Sequence, residues 1–368
     1  MKTARRMIAL VLAGAMLAIL TACGGGNAGN TQQGETGERT DVLVVKVGSL
    51  GSGRAGDALA VGIEKMAEYV EEKTGGMITF EFFYGGQLGS EQDMLDQIIT
   101  GSLDMAPISG TVLASIWPEM YVYTLPFAFN GFEDYYEVCG VDGVNDAAVH
   151  SMMSKIVEES GKAHCLSSAF CGNFRGCFNS KHAIRTASDF DDLTFRIQAG
   201  EIFSDIYGAL GASTAAIPFS ELYTSIQQGV CDGADLGVGF TYDNKFHEIA
   251  KFNTELNHCL CGNPMLMSNK LWDKLTEEER QIFEDSMIEA EKAGMEECIN
   301  AYETYYPLLA EAGVEVIRFA ELTEDEVATF QDATVPVWEK YKDIIGEDVF
   351  NTFQEARIAV YGEVAQLE

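Results

Sequence analysis

Positive charge is scarce in this chain: 24 Lys and Arg face 57 Asp and Glu, for a formal charge of −33. A surface of that sign repels nucleic acid and anionic bilayers, so neither is expected as a partner of the folded part. Histidine is scarce too, at five residues, and His247-Glu248 lacks the second histidine of a metalloprotease helix. There is no G-x-S-x-G elbow, phosphate loop or dinucleotide glycine fingerprint, which removes the usual signs of an enzyme. His258-Cys259-Leu260-Cys261 comes nearest to a metal motif. Its three donors sit too close together for a finger, and no second Cys pair stands at the usual spacing. Strand packing is its expected role, and neither metal nor cofactor is predicted. After the first 22 residues no segment approaches the roughly 20 apolar residues that span a bilayer.

The start of the chain has a definite grammar. Lys2, Arg5 and Arg6 precede an apolar run from Met7 to Leu20, and Leu20-Thr21-Ala22-Cys23 follows. Basic residues, a short apolar run and small residues in that order make a secretory signal peptide over 1–22. The last four residues resemble the lipobox of bacterial lipoproteins, which implies a diacylated Cys23 as the new N-terminus. The prediction is an exported protein held at the membrane by lipid and facing the extracytoplasmic space. The stretch 23–40, rich in Gly and polar residues, reads as a flexible tether. Loss of Lys2, Arg5 and Arg6 takes the formal charge from −33 to −36, so an anionic ligand would need a local cluster of cations.

Nine cysteines in an exported chain ordinarily suggest disulfides. With Cys23 taken by lipid, most of the others sit in apolar, strand-like runs such as AHCLSSAF, where cysteine acts as a small hydrophobe. Free buried thiols are the expectation, with a disulfide involving Cys165, Cys171 or Cys177 left open.

From Asp41 the chain is longer than one core usually serves. It alternates strand and helix, with VLVVKVGSL, then a helix whose Ile63, Met66, Ala67 and Val70 share one face, then MITFEFFY. A helix capped by Ser90 and closed by Gly101 comes next, then a strand over 103–108. The second half repeats this around Phe195-Arg196-Ile197, and DQIITGSLDMA at 96–106 has a local likeness to TSIQQGVCDGA at 224–234. Thr276 and Glu279 form a capping box that opens a helix running to about Glu311, on the order of 50 Å long and long enough to cross between two lobes. A second box, Thr323 with Glu326, opens another helix, and 349–364 is amphipathic.

Two arginines stand out against this background. Arg175 in CGNFRGCFNS and Arg196 in DDLTFRIQAG lie in apolar strand-like stretches, where a guanidinium needs a partner. Its planar fork fits a carboxylate through two parallel hydrogen bonds. That partner can be one of the chain's own acidic groups or a bound anion, and composition alone favours the former.

At these arginines the sequence resembles the solute-binding proteins of tripartite ATP-independent periplasmic (TRAP) transporters, of the dicarboxylate-binding DctP type. The resemblance is carried by YGGQLGSEQDML with GSLDMA, WPEMYVYTLPFAF, FRGCFNSKHAIRTASDFDDLTFRI, ALGASTAAIPFSELYTSIQQGVCDG, KFHEIAKF and LWDKL, in the family's order. It implies an α/β, two-lobed, periplasmic-binding-protein-like fold with a long helix spanning both lobes and ligand in the cleft between them. The implied division is 41–169 plus 257–297 for one lobe and 170–256 plus 298–368 for the other. It also implies that Arg196 clamps a ligand carboxylate and that Arg175 is a second anion contact. Asp235, Leu236, Ser90, Ser109, Phe174 and Phe240 complete the candidate set. The implied partners are a small organic acid and the small and large TRAP membrane subunits.

The departures from the family pattern bear on the ligand. Leu236 stands where the family has an asparagine that commonly bonds ligand, Ala199 follows the arginine strand, and Ser90 replaces an acidic contact. The expected ligand is therefore a monocarboxylate with an apolar or aromatic body near Leu236, Phe170, Phe174 or Phe240, and not sialic acid or a simple dicarboxylate. Rival readings are a binding lipoprotein of an ATP-driven importer, a sensor subunit, or a surface enzyme.

Overall fold

The computed structural model describes residues 39–362 except 55, 142, 143 and 199; the signal segment, Cys23 and Ala199 lie outside the described residues. Strand Leu43–Gly48 buries Val45 and Val47 and turns Val44 and Lys46 outward, the period-two alternation of a strand covered on one face. Asp57 then caps helix Ala58–Lys73 by accepting from the Leu59 and Ala60 amides, and Ile63, Met66, Ala67 and Val70 are buried on one stripe. Strand Ile78–Phe83 lies parallel to Leu43–Gly48. Ser90 and Asp93 cap helix Glu91–Thr100 reciprocally, and Gly101 ends it in the left-handed region at φ 71°.

These elements build the first lobe. Its five-stranded sheet runs Ile78–Phe83, Leu43–Gly48, Met105–Pro107, Met265–Ser268, Ala163–Ser167, with the first three parallel and the last two antiparallel to their neighbours. The second lobe carries six strands in the order Glu315–Ile317, Phe252–Thr254, Gly176–Asn179, Gly233–Leu236, Thr194–Ile197, Ser213–Ala216. Strands 194–197, 213–216 and 233–236 are parallel, and 176–179 runs against 233–236. The likeness between 96–106 and 224–234 falls on equivalent joins. In each a helix ends on a left-handed glycine, Gly101 or Gly229, ahead of a strand that pairs in parallel.

Two crossing segments connect the lobes and pair with each other as an antiparallel ribbon, Gly172–Phe174 with Leu260–Gly262. The expected borders at 169/170 and 256/257 flank this ribbon. Helix Glu277–Glu311, 35 residues opened by the Thr276–Glu279 capping box, packs on helix Ala58–Lys73 of the first lobe and on helix Val238–Asp243 and strand Glu315–Ile317 of the second. Helices 58–73 and 277–311 approach closely at Gly62, where a Cβ would lie 2.8 Å from the Phe170 ring and 3.2 Å from the Ala290 carbonyl.

The C-terminal helices depart from the expected division, which placed all of 298–368 in the second lobe. Helix Glu347–Tyr361 packs on helices Phe132–Cys139 and Val144–Glu159 of the first lobe. Trp338 Nε1 donates to the Pro126 carbonyl at 2.8 Å, and Arg357 Nε to the Ala128 carbonyl at 2.8 Å. The amphipathic pattern gave the helix, but its apolar face suits either lobe equally well. The Arg357 contact from this helix, and that of Trp338 from the preceding helix Glu324–Ile345, are encoded by no sequence period and tie both helices to the first lobe. The eight cysteines from Cys139 to Cys298 are unbonded, and all but Cys261 are buried.

Candidate functional site

The three central strands of the second lobe bring both arginines into one neighbourhood. Arg175 directly precedes strand 176–179, whose partner 233–236 carries Asp235 and in turn pairs with 194–197, the strand of Arg196. Arg175 is buried and bidentate on Asp235, with Nε to Oδ2 at 2.6 Å and Nη2 to Oδ1 at 2.9 Å, and Nη2 also reaches the Asp235 carbonyl at 2.8 Å. Its guanidinium lies 5.0 Å from the Phe203 ring centre, and Nη1 is 3.5 Å from Cys261 Sγ. Burial alone would raise the Asp235 pKa. The Arg175 charge and the His258 contact outweigh it and hold the carboxyl well below its usual range. His258 Nε2 stands 3.3 Å from Asp235 Oδ2 and 3.1 Å from the Tyr207 hydroxyl, which lies 3.5 Å from Cys177 Sγ. The Arg175 charge is therefore met inside the fold.

Arg196 is different. It is 4% exposed, its Nε donates to the Ile217 carbonyl at 2.8 Å, and among the described residues no carboxylate lies within ion-pair distance of it. Its in-register neighbours on the sheet are Ala215 and Ala234, which offer no polar side chain. Burial, and then the nearby Arg175 charge, lower its pKa to about 10, so it remains a cation at neutral pH. A buried cation without a counter-ion costs free energy that a bound anion recovers.

Within reach of the Arg175 charge, on the first lobe, is a carboxylate that the sequence reading missed. Glu91 accepts from the Ser109 amide at 3.0 Å and from the Ser109 hydroxyl at 2.8 Å. Burial raises its pKa, while the Ser109 bonds and the Arg175 charge act in the opposite direction. Ser109 Oγ is 3.3 Å from Thr111 Oγ1, and Gln198 Nε2 of the second lobe donates to Thr111 Oγ1 at 2.9 Å, a hydrogen bond from lobe to lobe. Gln198 lies two residues beyond Arg196 and so shares its side of the strand direction. That spacing was the available signal for Gln198. Glu91 was hidden behind its capping neighbour.

The remaining candidates separate. Ser90 spends its hydroxyl on the Asp93 amide and carboxylate at the head of its helix. Phe174 is 2% exposed, sits edge-on to Phe132 at 5.1 Å, and gives its carbonyl to the Tyr302 hydroxyl. The Ser90 hydroxyl and the Phe174 ring and carbonyl are thus engaged with partners inside the fold. Phe170 is wholly buried under Gly62. Leu236 belongs to a satellite core with Phe178, Leu222, Ile226 and Phe246, and half-buried Phe240 packs at its margin, 6.4 Å from the Phe219 ring. Asp235, His258 and Cys259 bring donor atoms within 4.8 Å of one another. Arg175 already holds that carboxylate in a fork, so a metal ion there would have to displace a guanidinium.

Two α/β lobes, a crossing ribbon, a long shared helix and a buried arginine with no carboxylate partner among the described residues make the architecture of a two-lobed solute-binding protein. The chain belongs to the bacterial extracellular solute-binding protein family 7, DctP, whose pattern matches residues 53–343. It is 26% identical to the C4-dicarboxylate-binding periplasmic protein DctP of Rhodobacter capsulatus, over 80% of this chain and 86% of that one. Among solved structures it is similar to a TRAP periplasmic solute-binding protein from Ochrobactrum anthropi, at TM-score 0.77 and 26% identity, covering 88% of this chain and 97% of that one. A TRAP protein from Sulfurospirillum deleyianum with bound succinate matches at TM-score 0.73 and 25% identity, covering 86% and 100%. These relatives are extracytoplasmic binding proteins and not enzymes, and the two-lobed fold expected from the sequence is theirs.

Proposed function

We propose that this chain captures a small monocarboxylate between its lobes and delivers it to the small and large membrane subunits of a TRAP transporter, held at the bilayer by lipid on Cys23. The observation that carries the reading is Arg196, a buried guanidinium with no carboxylate partner among the described residues. Asp235 already neutralises Arg175, so one cation is left for one carboxylate. Succinate and galacturonate in the structural neighbours support an organic acid as the ligand class.

Glu91 supports the choice of a monocarboxylate. When ionised it only accepts hydrogen bonds, and a second ligand carboxylate beside it would be repelled. A hydroxyl on the ligand would satisfy it. Leu236, in place of the family's asparagine, removes one polar contact on the second-lobe side. The ligand class that fits is a hydroxylated monocarboxylate, with Ser109 holding Glu91, Asp235 holding Arg175, and Phe240 at the apolar margin.

A thermal-shift screen of the exported protein against monocarboxylates, sugar acids, dicarboxylates and neutral sugars tests this, run in parallel on Arg196→Ala. Ligand at 100 times its Kd stabilises the folded state by about 2.7 kcal/mol. Hydroxylated monocarboxylates should raise the midpoint in the wild type and leave Arg196→Ala unmoved. A response confined to neutral sugars, or an equal response in the variant, would overturn the role of Arg196. A response to dicarboxylates alone would overturn the ligand class.

A further inference from the structure

Two of the thiols face each other across the junction between the lobes. Cys171 Sγ and Cys298 Sγ lie 3.8 Å apart, both wholly buried and 127 residues apart in sequence. Cys171 leads into the Gly172–Phe174 strand of the crossing ribbon, and Cys298 sits in the long helix Glu277–Glu311. One turn along that helix, the Tyr302 hydroxyl donates to the Phe174 carbonyl at 3.2 Å. Ribbon and helix therefore run alongside each other at two matched points, 171 with 298 and 174 with 302. Cys298 Sγ also reaches the Gly172 carbonyl at 3.3 Å. A disulfide needs its sulfurs at about 2.05 Å, so side-chain rotation has to close the remaining gap. Cys177 points to the Tyr207 hydroxyl and Cys165 to the Ser167 carbonyl, each at 3.5 Å, while Cys259 and Cys261, two residues apart in sequence, contact each other and supply the competing pair.

We propose that Cys171 and Cys298 form an oxidative modification site, closing to an intramolecular disulfide that staples the long helix to the crossing ribbon. The family works outside the cytoplasm, where disulfide oxidants operate. The oxidant is a disulfide compound, protein-borne or small. One cysteine thiolate attacks its S–S bond and expels the first oxidant thiolate. The second cysteine thiolate then attacks the mixed disulfide and expels the other. Two electrons pass to the oxidant, and the two protons lost by the cysteines end on its two thiols. The Cys298 contact and burial both hold the Cys171 thiol above its usual pKa, so the exchange belongs to folding, before the pair is covered. The closed bond would hold the strand leading to Arg175 in place against the helix that both lobes share. It also limits the unfolded chain through a long loop.

The test is to unfold and reduce the exported protein, refold it with oxidised and reduced glutathione, then denature it, block free thiols with N-ethylmaleimide and map the peptides. The expected result is a cross-linked 171–298 peptide with the other six of the eight thiols alkylated. The oxidised form should melt about 5 °C above the reduced form. Cys171→Ser and Cys298→Ser should each lose both signatures, and Cys231→Ser should keep them. Eight alkylated thiols after equilibration with oxidised glutathione, or a cross-link between other cysteines such as 259 and 261, would overturn the proposal. The wild-type map decides it even if a variant fails to fold.

Discussion

Arg175 and Arg196 lie close together, yet the structure gives them opposite electrostatic circumstances. A bidentate carboxylate and a backbone carbonyl meet Arg175, whereas Arg196 donates to a backbone carbonyl and meets no carboxylate among the described residues. Removing the carboxylate from the first pair should leave a buried cation uncompensated. Asp235→Ala is expected to cost about 3–5 kcal/mol, read as a fall in the urea midpoint without a change in slope. A loss under about 1 kcal/mol would show that water reaches Arg175 and that the pair is not desolvated. Acid should act on the same group. Its folded-state pKa is depressed, so its contribution is fully present above the unfolded carboxylate value near 3.9 and is lost as pH falls below that. His150 titrates earlier. Burial lowers it to about 4, and its Nδ1 accepts from the Ser168 amide at 3.2 Å, a bond available only to the neutral ring. Below pH 6.5 the unfolded chain binds a proton there that the folded chain refuses, so stability should decline between about pH 6.5 and 4 by roughly 3 kcal/mol. Urea titrations across that range should show the decline, and His150→Gln should flatten it. An equal slope in the variant would assign the decline to other groups.

At the scale of elements, the caps and periodic faces were legible because each is a local rule. The Ser90, Thr276 and Thr323 caps and the Ile63–Met66–Val70 face all depend on residues within two turns of one another. Arg196 was legible as a candidate because an arginine in an apolar strand is anomalous. Glu91 was not, since an acidic residue in the first turn of a helix has an ordinary explanation in the helix dipole. Only the long-range contact with Ser109, 18 residues on, marks it as something else. Phe174 shows the same limit: its neighbour in sequence is Arg175, while its ring packs on Phe132 and its carbonyl accepts from Tyr302, contacts that no local pattern encodes. Helix-to-helix approach is another long-range property, and Gly62 shows it. Gly62→Ala places a methyl 2.8 Å from the Phe170 ring and 3.2 Å from the Ala290 carbonyl, which forces helices 58–73 and 277–311 apart. Overpacking of this kind costs about 1–3 kcal/mol. The thermal midpoint should fall accordingly, and an unchanged midpoint would mean that Phe170 rotates away at little cost.

For the molecule as a whole, the question is how a ligand biases two lobes that already share a helix and a ribbon. A hinge closure is favoured by whatever contacts exist only in the closed form. A bond that opening of the lobes would break is Gln198 Nε2 of the second lobe to Thr111 Oγ1 of the first, which stands beside the Ser109 that holds Glu91. The bond touches neither arginine, so deleting it should leave the anion clamp intact and weaken only the closed state. A single neutral hydrogen bond is worth about 0.5–1.5 kcal/mol, which predicts an affinity roughly 2- to 12-fold weaker for Gln198→Ala. The loss should fall mainly on dissociation, because closure follows capture and retains what has been captured. Calorimetry and stopped-flow release on the same variant check both parts. A slower association with unchanged release would place Gln198 on the entry path, and an unchanged affinity would mean that lobe closure draws on the ligand's own contacts alone.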